Sequence, residues 1–338
     1  MKILVIRNDK LGDFVLALPA ISLLKSQYPD AIITALVPPY TRPVAEMCPS
    51  IDNIVIDNGG NAFELSRHFS PHQFDASISL YSELRTAAAL WLAGIRNRVG
   101  PATKIAQIFL NRRLRQKRSL SLKPEYEYNV DLAKYYIQLN GDTPVTPVKP
   151  PYLVLDDRQT LRQKYIESIG SSPQKKLVII HPGSGGSAVN LSLQQYAQLA
   201  RTINRDIDLH FVITAGPDEL DNANSLSRLL NADNCTVYNS VHGLANFVHF
   251  INICDVFISG STGPLHIAGA LNIATVAFYP ARRSATALRW QTLNETGKRI
   301  SFSPEQYVKA ASTLNIDIDE CATEIIDFIR RLPAADKA

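Results

Sequence analysis

A chain of 338 residues is long for a single hydrophobic core and suits two, because single cores stop growing at roughly 250–300 residues. Its 46% hydrophobic and 20% charged residues supply apolar material for such cores and exclude an intrinsically disordered protein, and the net charge of +4 is too mild to mark a nucleic-acid binder. The four cysteines, Cys48, Cys235, Cys254 and Cys321, form no CxxC pair or Cys/His cluster, which excludes zinc-finger and dithiol motifs and suits a reducing compartment.

In chain order, residues 1–7 read as a strand whose apolar run is too short for a secretory signal, and no later run is long enough to span a bilayer, so a cytoplasmic location is expected. A glycine-containing turn at 8–13 leads into apolar residues at helical spacing over 14–24. A strand at 31–37, a Pro-Pro break, a helix near 42–47, strands at 54–56 and 75–80 and a helix at 83–92 continue the pattern. Basic residues then concentrate at Arg96, Arg98, Lys104, Arg112, Arg113, Arg115, Lys117 and Arg118.

A Pro-containing stretch at 143–153 is the candidate linker, and a helix is expected over 158–169. The scheme restarts with a strand at 176–180, a Gly/Ser loop at 181–187 and a helix at 193–202. Strands at 210–214, 236–238, 256–259 and 274–279 follow, Ser303-Pro304 resembles a helix start, and an amphipathic helix near 320–331 closes the chain. Alternating strands and helices of these lengths imply parallel sheets covered on both faces. The expected fold class is therefore α/β, with two doubly wound domains at 1–155 and 156–338, the last helix packing back on the first. In such sheets ligands bind beyond the carboxyl ends of the strands.

Three loops at such ends carry candidate chemistry. Ser261-Thr262-Gly263-Pro264-Leu265-His266 follows a strand and opens a helix, where free amides and the dipole favour a pyrophosphate; a plain capped helix start with a core histidine is the competing reading. His181-Pro182-Gly183-Ser184-Gly185-Gly186-Ser187 is a second phosphate-compatible loop, spaced as neither a P-loop nor a dinucleotide fingerprint. Asp13, after the first strand, is either a general base or a carboxylate favoured by the helix dipole.

RNDKLGDFVLALP at 7–19, HPGSGGS at 181–187 with Tyr196-Ala197-Gln198-Leu199-Ala200 behind it, Gly216-Pro217-Asp218-Glu219 and STGPLHIAGAL at 261–271 occur in one order. In this the chain resembles glycosyltransferase family 9, which contains the ADP-heptose:lipopolysaccharide heptosyltransferases; residues 63–123 match less clearly. The resemblance implies a GT-B fold, two Rossmann-like domains facing across a cleft, and inverting transfer from a nucleotide sugar. The acceptor would lie on the first domain and the donor on the second. By resemblance, Asp13 is the base, Thr262, Gly263 and His266 form the donor-phosphate site, and Ser184 and Gly185 belong to its other phosphate loop. Glu219 would hold the ribose, with Asp218 and Asp221 as alternatives, and Val241 and His242 the adenine.

Two departures stand out. Ser261 replaces an aspartate of many relatives, and Val189 falls where well-known heptosyltransferases place a donor-binding lysine, which leaves Lys10, Arg282 and Arg283 as candidate replacement cations. No metal or other cofactor is expected. The expected donor is ADP-heptose, with another nucleotide sugar, or binding without catalysis, as the alternative. The expected acceptor is an anionic, lipid-linked core saccharide, met by Arg112, Arg113, Arg115, Lys117 and Arg118 with peripheral contact to the inner membrane. A two-lobed receptor and a nucleotide-dependent oxidoreductase fit less well, lacking a signal peptide and a GxGxxG fingerprint respectively.

Overall fold

The computed structural model describes residues 1–183, 189–216, 218–231, 233–306 and 313–333. The chain divides into two units, Met1–Val154 and Leu155–Ala338.

In the first unit, strands β1 (Lys2–Ile6), β2 (Ile32–Val37), β3 (Asn53–Ile56), β4 (Ala76–Ser79), β5 (Asn97–Pro101) and β6 (Arg112–Leu114) form a parallel sheet in the order β3-β2-β1-β4-β5-β6. The central strands are almost wholly buried, as a parallel sheet covered on both faces requires. Leu4, Ile6, Leu36 and Val55 meet Leu65 and Phe69 of the Ala62–Phe69 helix and Ala89 and Leu90 of the Leu84–Leu92 helix. Asn61 starts the former helix by accepting from the Phe63 and Glu64 amides, both at 3.0 Å, while Glu64 accepts from the Asn61 amide. On the other face, the Glu125–Leu139 helix packs on the Leu18–Gln27 helix.

The helix expected over residues 14–24 is two helices, Leu11–Val15 and Leu18–Gln27. Pro19, near the start of the second, has no amide hydrogen to continue the ladder, and its fixed φ suits a helix start. β5 and β6 were not anticipated. β6 is a three-residue edge strand made mostly of exposed arginines, without the apolar alternation that announces a strand.

The second unit repeats the plan. Strands β7 (Lys176–His181), β8 (Leu209–Ala215), β9 (Cys235–Asn239), β10 (Val256–Gly260), β11 (Ala274–Phe278) and β12 (Arg299–Phe302) pair in parallel in the order β12-β11-β10-β7-β8-β9. Val178, Ile180, Phe211, Ile213, Ile258 and Val276 bury against the Leu193–Asp206, Leu220–Leu230 and Ile318–Arg331 helices. The closing helix lies along the Leu193–Asp206 helix, and its Ala322, Ile325 and Ile329 belong to this unit's core. Ser303-Pro304 starts no helix within residues 303–306; the chain leaves β12 there. Among the described residues, no helix is long and apolar enough to cross a membrane.

Both sheets therefore carry the same order, in which the first strand is flanked by the second on one side and the fourth on the other. The connections reverse direction between first and fourth strands, leaving a crevice at their carboxyl ends. That geometry puts the functional loops after β1 and β4 in one unit, and after β7 and β10 in the other.

Candidate functional site

Beyond β1 the first residue is Arg7, whose side chain is buried. A buried guanidinium must be paired, and this one is held on every side. Its Nε donates to Asp9 Oδ1 at 2.8 Å, its Nη2 donates to Asp13 Oδ1, and its Nη1 donates to Leu80 O, beyond β4, at 3.2 Å and to Asn129 Oδ1 at 3.3 Å. Glu125 Oε1 lies 3.7 Å from the same Nη1 and accepts from Arg118 Nη1 at 2.7 Å. Asn129 in turn donates to Leu16 O at 2.9 Å. Burial alone would lower the Arg7 pKa, but Asp9, Asp13 and Glu125 bring it above its ordinary value. Asp9 is pushed up to about 6, chiefly by burial, with Arg7 opposing and Asp13 adding repulsion.

Asp13 stands in the first turn of the Leu11–Val15 helix. Arg7 fixes one of its oxygens, and the other makes no hydrogen bond among the described residues. Next to it, Asn8 donates to Asp57, which Arg85 also grips at 2.6 Å. Burial opposes ionisation of Asp57, yet the hydrogen bonds from Arg85, Asn8 and the Gly59 amide hold it below the ordinary carboxylate range. Lys10 is exposed beside this network and joins no ion pair among the described residues.

The corresponding crevice in the second unit is joined chiefly by neutral hydrogen bonds. Ser259, on β10, donates to His181 O at 2.9 Å and lies 3.2 Å from Thr262 Oγ1, joining the ends of β10 and β7. Thr262 is the N-cap of the Gly263–Ala270 helix, accepting from the Leu265 amide, and the His266 amide donates to Thr262 O at 3.3 Å. Ser261 and Gly263 flank the cap and are partly exposed. His266 is buried, and burial lowers its pKa to about 4, leaving it neutral at physiological pH. Its Nδ1 is buried and has no partner among the described residues. The ring lies 6.3 Å from Trp290, whose Nε1 donates to Ser284 O at 2.9 Å. That bond ties the segment after β11, with exposed Arg282 and Arg283, to the residue beside His266.

Two glycines permit close approaches here. A Cβ on Gly183 would lie 1.9 Å from Glu219 Oε2, and one on Gly260 would lie 2.6 Å from Asn190 Oδ1. Glu219 is thus seated over the start of the 181–187 loop, and it also accepts from the Gly216 amide at 3.3 Å. Its neighbour His181 is buried and bonded to Thr214 Oγ1 at 2.9 Å, and burial depresses its pKa to about 4 against the pull of Glu219. Asn190 links Pro182 O to the hydroxyl of Tyr196 in the following helix. Val189 packs partly buried against the core, so the position of the missing lysine is spent on apolar contact.

Ser184 and Gly185 lie outside the described residues. Val241 and His242 are exposed at the start of the Gly243–Asn252 helix, and His242 borders a groove of about 500 Å³. The Tyr238 and Phe250 rings, stacked 3.6 Å apart, form part of its wall. Arg112, Arg113, Arg115 and Lys117 are exposed as the sequence suggests, but Arg118 differs. It is three-quarters or more buried, pairs with Glu125 and lies over the Tyr128 ring, so it braces the Arg7 network. Sequence reasoning missed Arg7, Asp9 and Glu125. Arg7 leaves a local trace, with carboxylates two and six positions on; Glu125 leaves none, because only the fold brings it near.

The model of Glycosyltransferase family 9 (heptosyltransferase) matches residues 62–312. A Haemophilus influenzae protein named as a glycosyltransferase, with no donor or acceptor specified, is 43% identical over 98% of this chain and 97% of its own. Lipopolysaccharide heptosyltransferase 2 of Escherichia coli K12 is 24% identical over 82% of each chain. The solved Escherichia coli ADP-heptose lipopolysaccharide heptosyltransferase II superposes with a TM-score of 0.78 at 20% identity, covering 98% of this chain and 99% of that one. With two α/β units of the GT-B type and a family match across most of its length, the chain belongs to glycosyltransferase family 9 and is a glycosyltransferase.

Proposed function

We propose that this enzyme transfers heptose from ADP-heptose, with inversion, to an anionic, lipid-linked core saccharide of lipopolysaccharide at the cytoplasmic face of the inner membrane. The observation that carries this reading is the contrast between the two crevices. One presents a carboxylate fixed by a buried arginine, the other a neutral helix start beside a glycine-lined turn. Asp13, held through one oxygen, offers the other to the proton of an acceptor hydroxyl. The amides opening the Gly263–Ala270 helix, with Thr262 at its cap, receive the departing diphosphate. Glu219 takes the ribose, and the groove beside His242 takes the base, with Tyr238 and Phe250 in its wall. The names of the relatives supply the sugar and the acceptor.

Transition-state charge carried by backbone amides requires no metal, and turnover should survive EDTA. Loss of activity in EDTA with recovery in magnesium contradicts that part. The donor is tested by a thermal-shift comparison of ADP-, GDP- and UDP-sugars, followed by release of ADP in the presence of delipidated core acceptor. A ligand at about 100 times its Kd stabilises by about 2.7 kcal/mol. Preferential stabilisation by a GDP- or UDP-sugar replaces the donor assignment. Val189 favours that second reading, because its apolar packing leaves the usual phosphate cation to be supplied by Lys10, Arg282 or Arg283.

A further inference from the structure

Residues 84–124 contain ten lysines and arginines and no aspartate or glutamate, in a chain whose net charge is only +4. Four of the ten are engaged internally. Arg85 grips Asp57, Arg98 donates to Phe109 O, Arg118 pairs with Glu125, and Lys123 pairs with Asp131. The remaining six, Arg96, Lys104, Arg112, Arg113, Arg115 and Lys117, are exposed and make no ion pair among the described residues.

The same segment exposes large apolar side chains. Ile105 is 70% exposed, Ile108 66%, Trp91 54% and Leu92 47%. They are presented by a pinned structure. The Ile105–Phe109 turn packs on the Leu84–Leu92 helix through Ala87, Ala106 and Leu110, Trp91 and Phe109 lie 5.9 Å apart, and Arg98 holds Phe109 O at 2.7 Å. An apolar turn beside unpaired cations, with no acid in the same segment, is a surface that water solvates poorly and that anionic surfaces attract.

We propose that this face, formed by Trp91, Leu92, Ile105 and Ile108 with Lys104, Arg112 and Arg113, docks the first unit on an anionic lipid bilayer. Its apolar side chains enter the boundary between headgroups and acyl chains while the cations meet the headgroups. Nucleic acid would satisfy the charge and leave the isoleucines uncovered. A second copy of the chain would cover them and oppose six cations to six.

The inference rests on the lipid-linked acceptor for its purpose, and its test uses neither acceptor nor donor. The full chain is floated with vesicles of phosphatidylcholine alone and of an equal mixture of phosphatidylcholine and phosphatidylglycerol. It is expected to rise with the mixed vesicles, to stay behind with the neutral ones, and to be released as salt shortens the Debye length. An Ile105→Ser/Ile108→Ser variant and an Arg112→Gln/Arg113→Gln variant should each weaken partitioning by roughly tenfold or more. Arg201→Gln/Arg205→Gln, on the exposed face of the Leu193–Asp206 helix in the second unit, should leave it unchanged. Nucleotide affinity and circular dichroism report that the variants remain folded.

Equal recovery with both vesicles, or equal recovery of all variants, overturns the proposal. So does a concentration-dependent dimer abolished by the isoleucine changes without vesicle binding, which assigns the face to a second copy. A protein that floats but transfers no heptose fails the acceptor reading alone. One that glycosylates delipidated acceptor yet never floats fails this one alone.

Discussion

The two crevices share one strand order and differ in their chemistry. At the first, between β1 and β4, Arg7, Asp9, Asp13, Glu125 and Arg118 form one chain of charges around a buried guanidinium. At the second, between β7 and β10, the contacts at the helix start are neutral: Ser259 to His181 O, Thr262 to the Leu265 amide, and a buried histidine whose Nδ1 has no partner among the described residues. A negative group that must keep its place needs a fixed counter-charge. A helix start suited to an incoming anion leaves its donors unfilled; the carboxylate of this unit, Glu219, stands instead at the start of the 181–187 loop, where it accepts from the Gly216 amide. On the proposed function, the same backbone serves opposite ends of one reaction through the residues placed just beyond its strands.

The largest expected effect comes from removing the centre of the charged network. Arg7→Met leaves Asp9, Asp13 and Glu125 facing only Arg118, and should cost about 3–5 kcal/mol of stability in urea titrations at neutral pH. A loss below about 1 kcal/mol would place Arg7 in a far wetter setting than its burial indicates. Asp13→Asn keeps the shape and removes the proposed base. Turnover should fall by at least about a hundredfold with nucleotide affinity unchanged, measured by steady-state kinetics beside calorimetry on one preparation. Near-normal turnover would reduce Asp13 to a dipole-favoured carboxylate and erase the functional half of the contrast.

On the neutral side, Thr262→Val removes the cap and its contact with Ser259, for about 1 kcal/mol of stability. It should weaken binding of the nucleoside diphosphate several-fold in calorimetry while sparing acceptor affinity; the reverse pattern would exchange the roles of the two units.

The smallest effect separates the crevices by pH. Asp9 has a folded pKa raised to about 6, so its stabilising contribution is present below the ordinary carboxylate value and is lost as pH rises through about 6. His181 and His266, lowered to about 4, contribute above their ordinary value near 6.5 and lose that contribution as pH falls toward 4. In urea midpoints compared at about pH 4.5 and 6.5, Asp9→Asn should steepen the loss on acidification and His266→Gln should flatten it. Parallel pH curves for both variants and the wild type would show that neither group titrates between those limits.

The sequence announced the strands that bury on both faces and the loops that follow them, since apolar runs and glycine-rich turns are local signals. It did not announce β5 or β12, whose runs are short and carry an arginine, nor β6, which is short, arginine-rich and at a sheet edge. Nor did it separate Arg118 from its exposed neighbours, because all five cations look alike until Glu125 is brought beside one of them. The residues of the neutral crevice were legible since small residues and a cap follow β10 directly. The charged crevice was only half legible: Asp13 is close to β1 in sequence, whereas Glu125 and Asn129 reach it from a helix more than a hundred positions away.

That separation has a consequence for synthesis. Arg7 and Asn129, hydrogen-bonded in the finished enzyme, are 122 positions apart. At roughly 5–20 residues per second, about 6–24 s separate their emergence from the ribosome. During that interval Arg7 has Asp9 and Asp13 at hand, but the crevice lacks the Glu125–Leu139 helix that closes it. The first unit therefore cannot complete its charged core while its N-terminal strands are all that has been made, and the nascent chain must hold a solvated guanidinium at the end of β1 until nearly the whole unit has been translated.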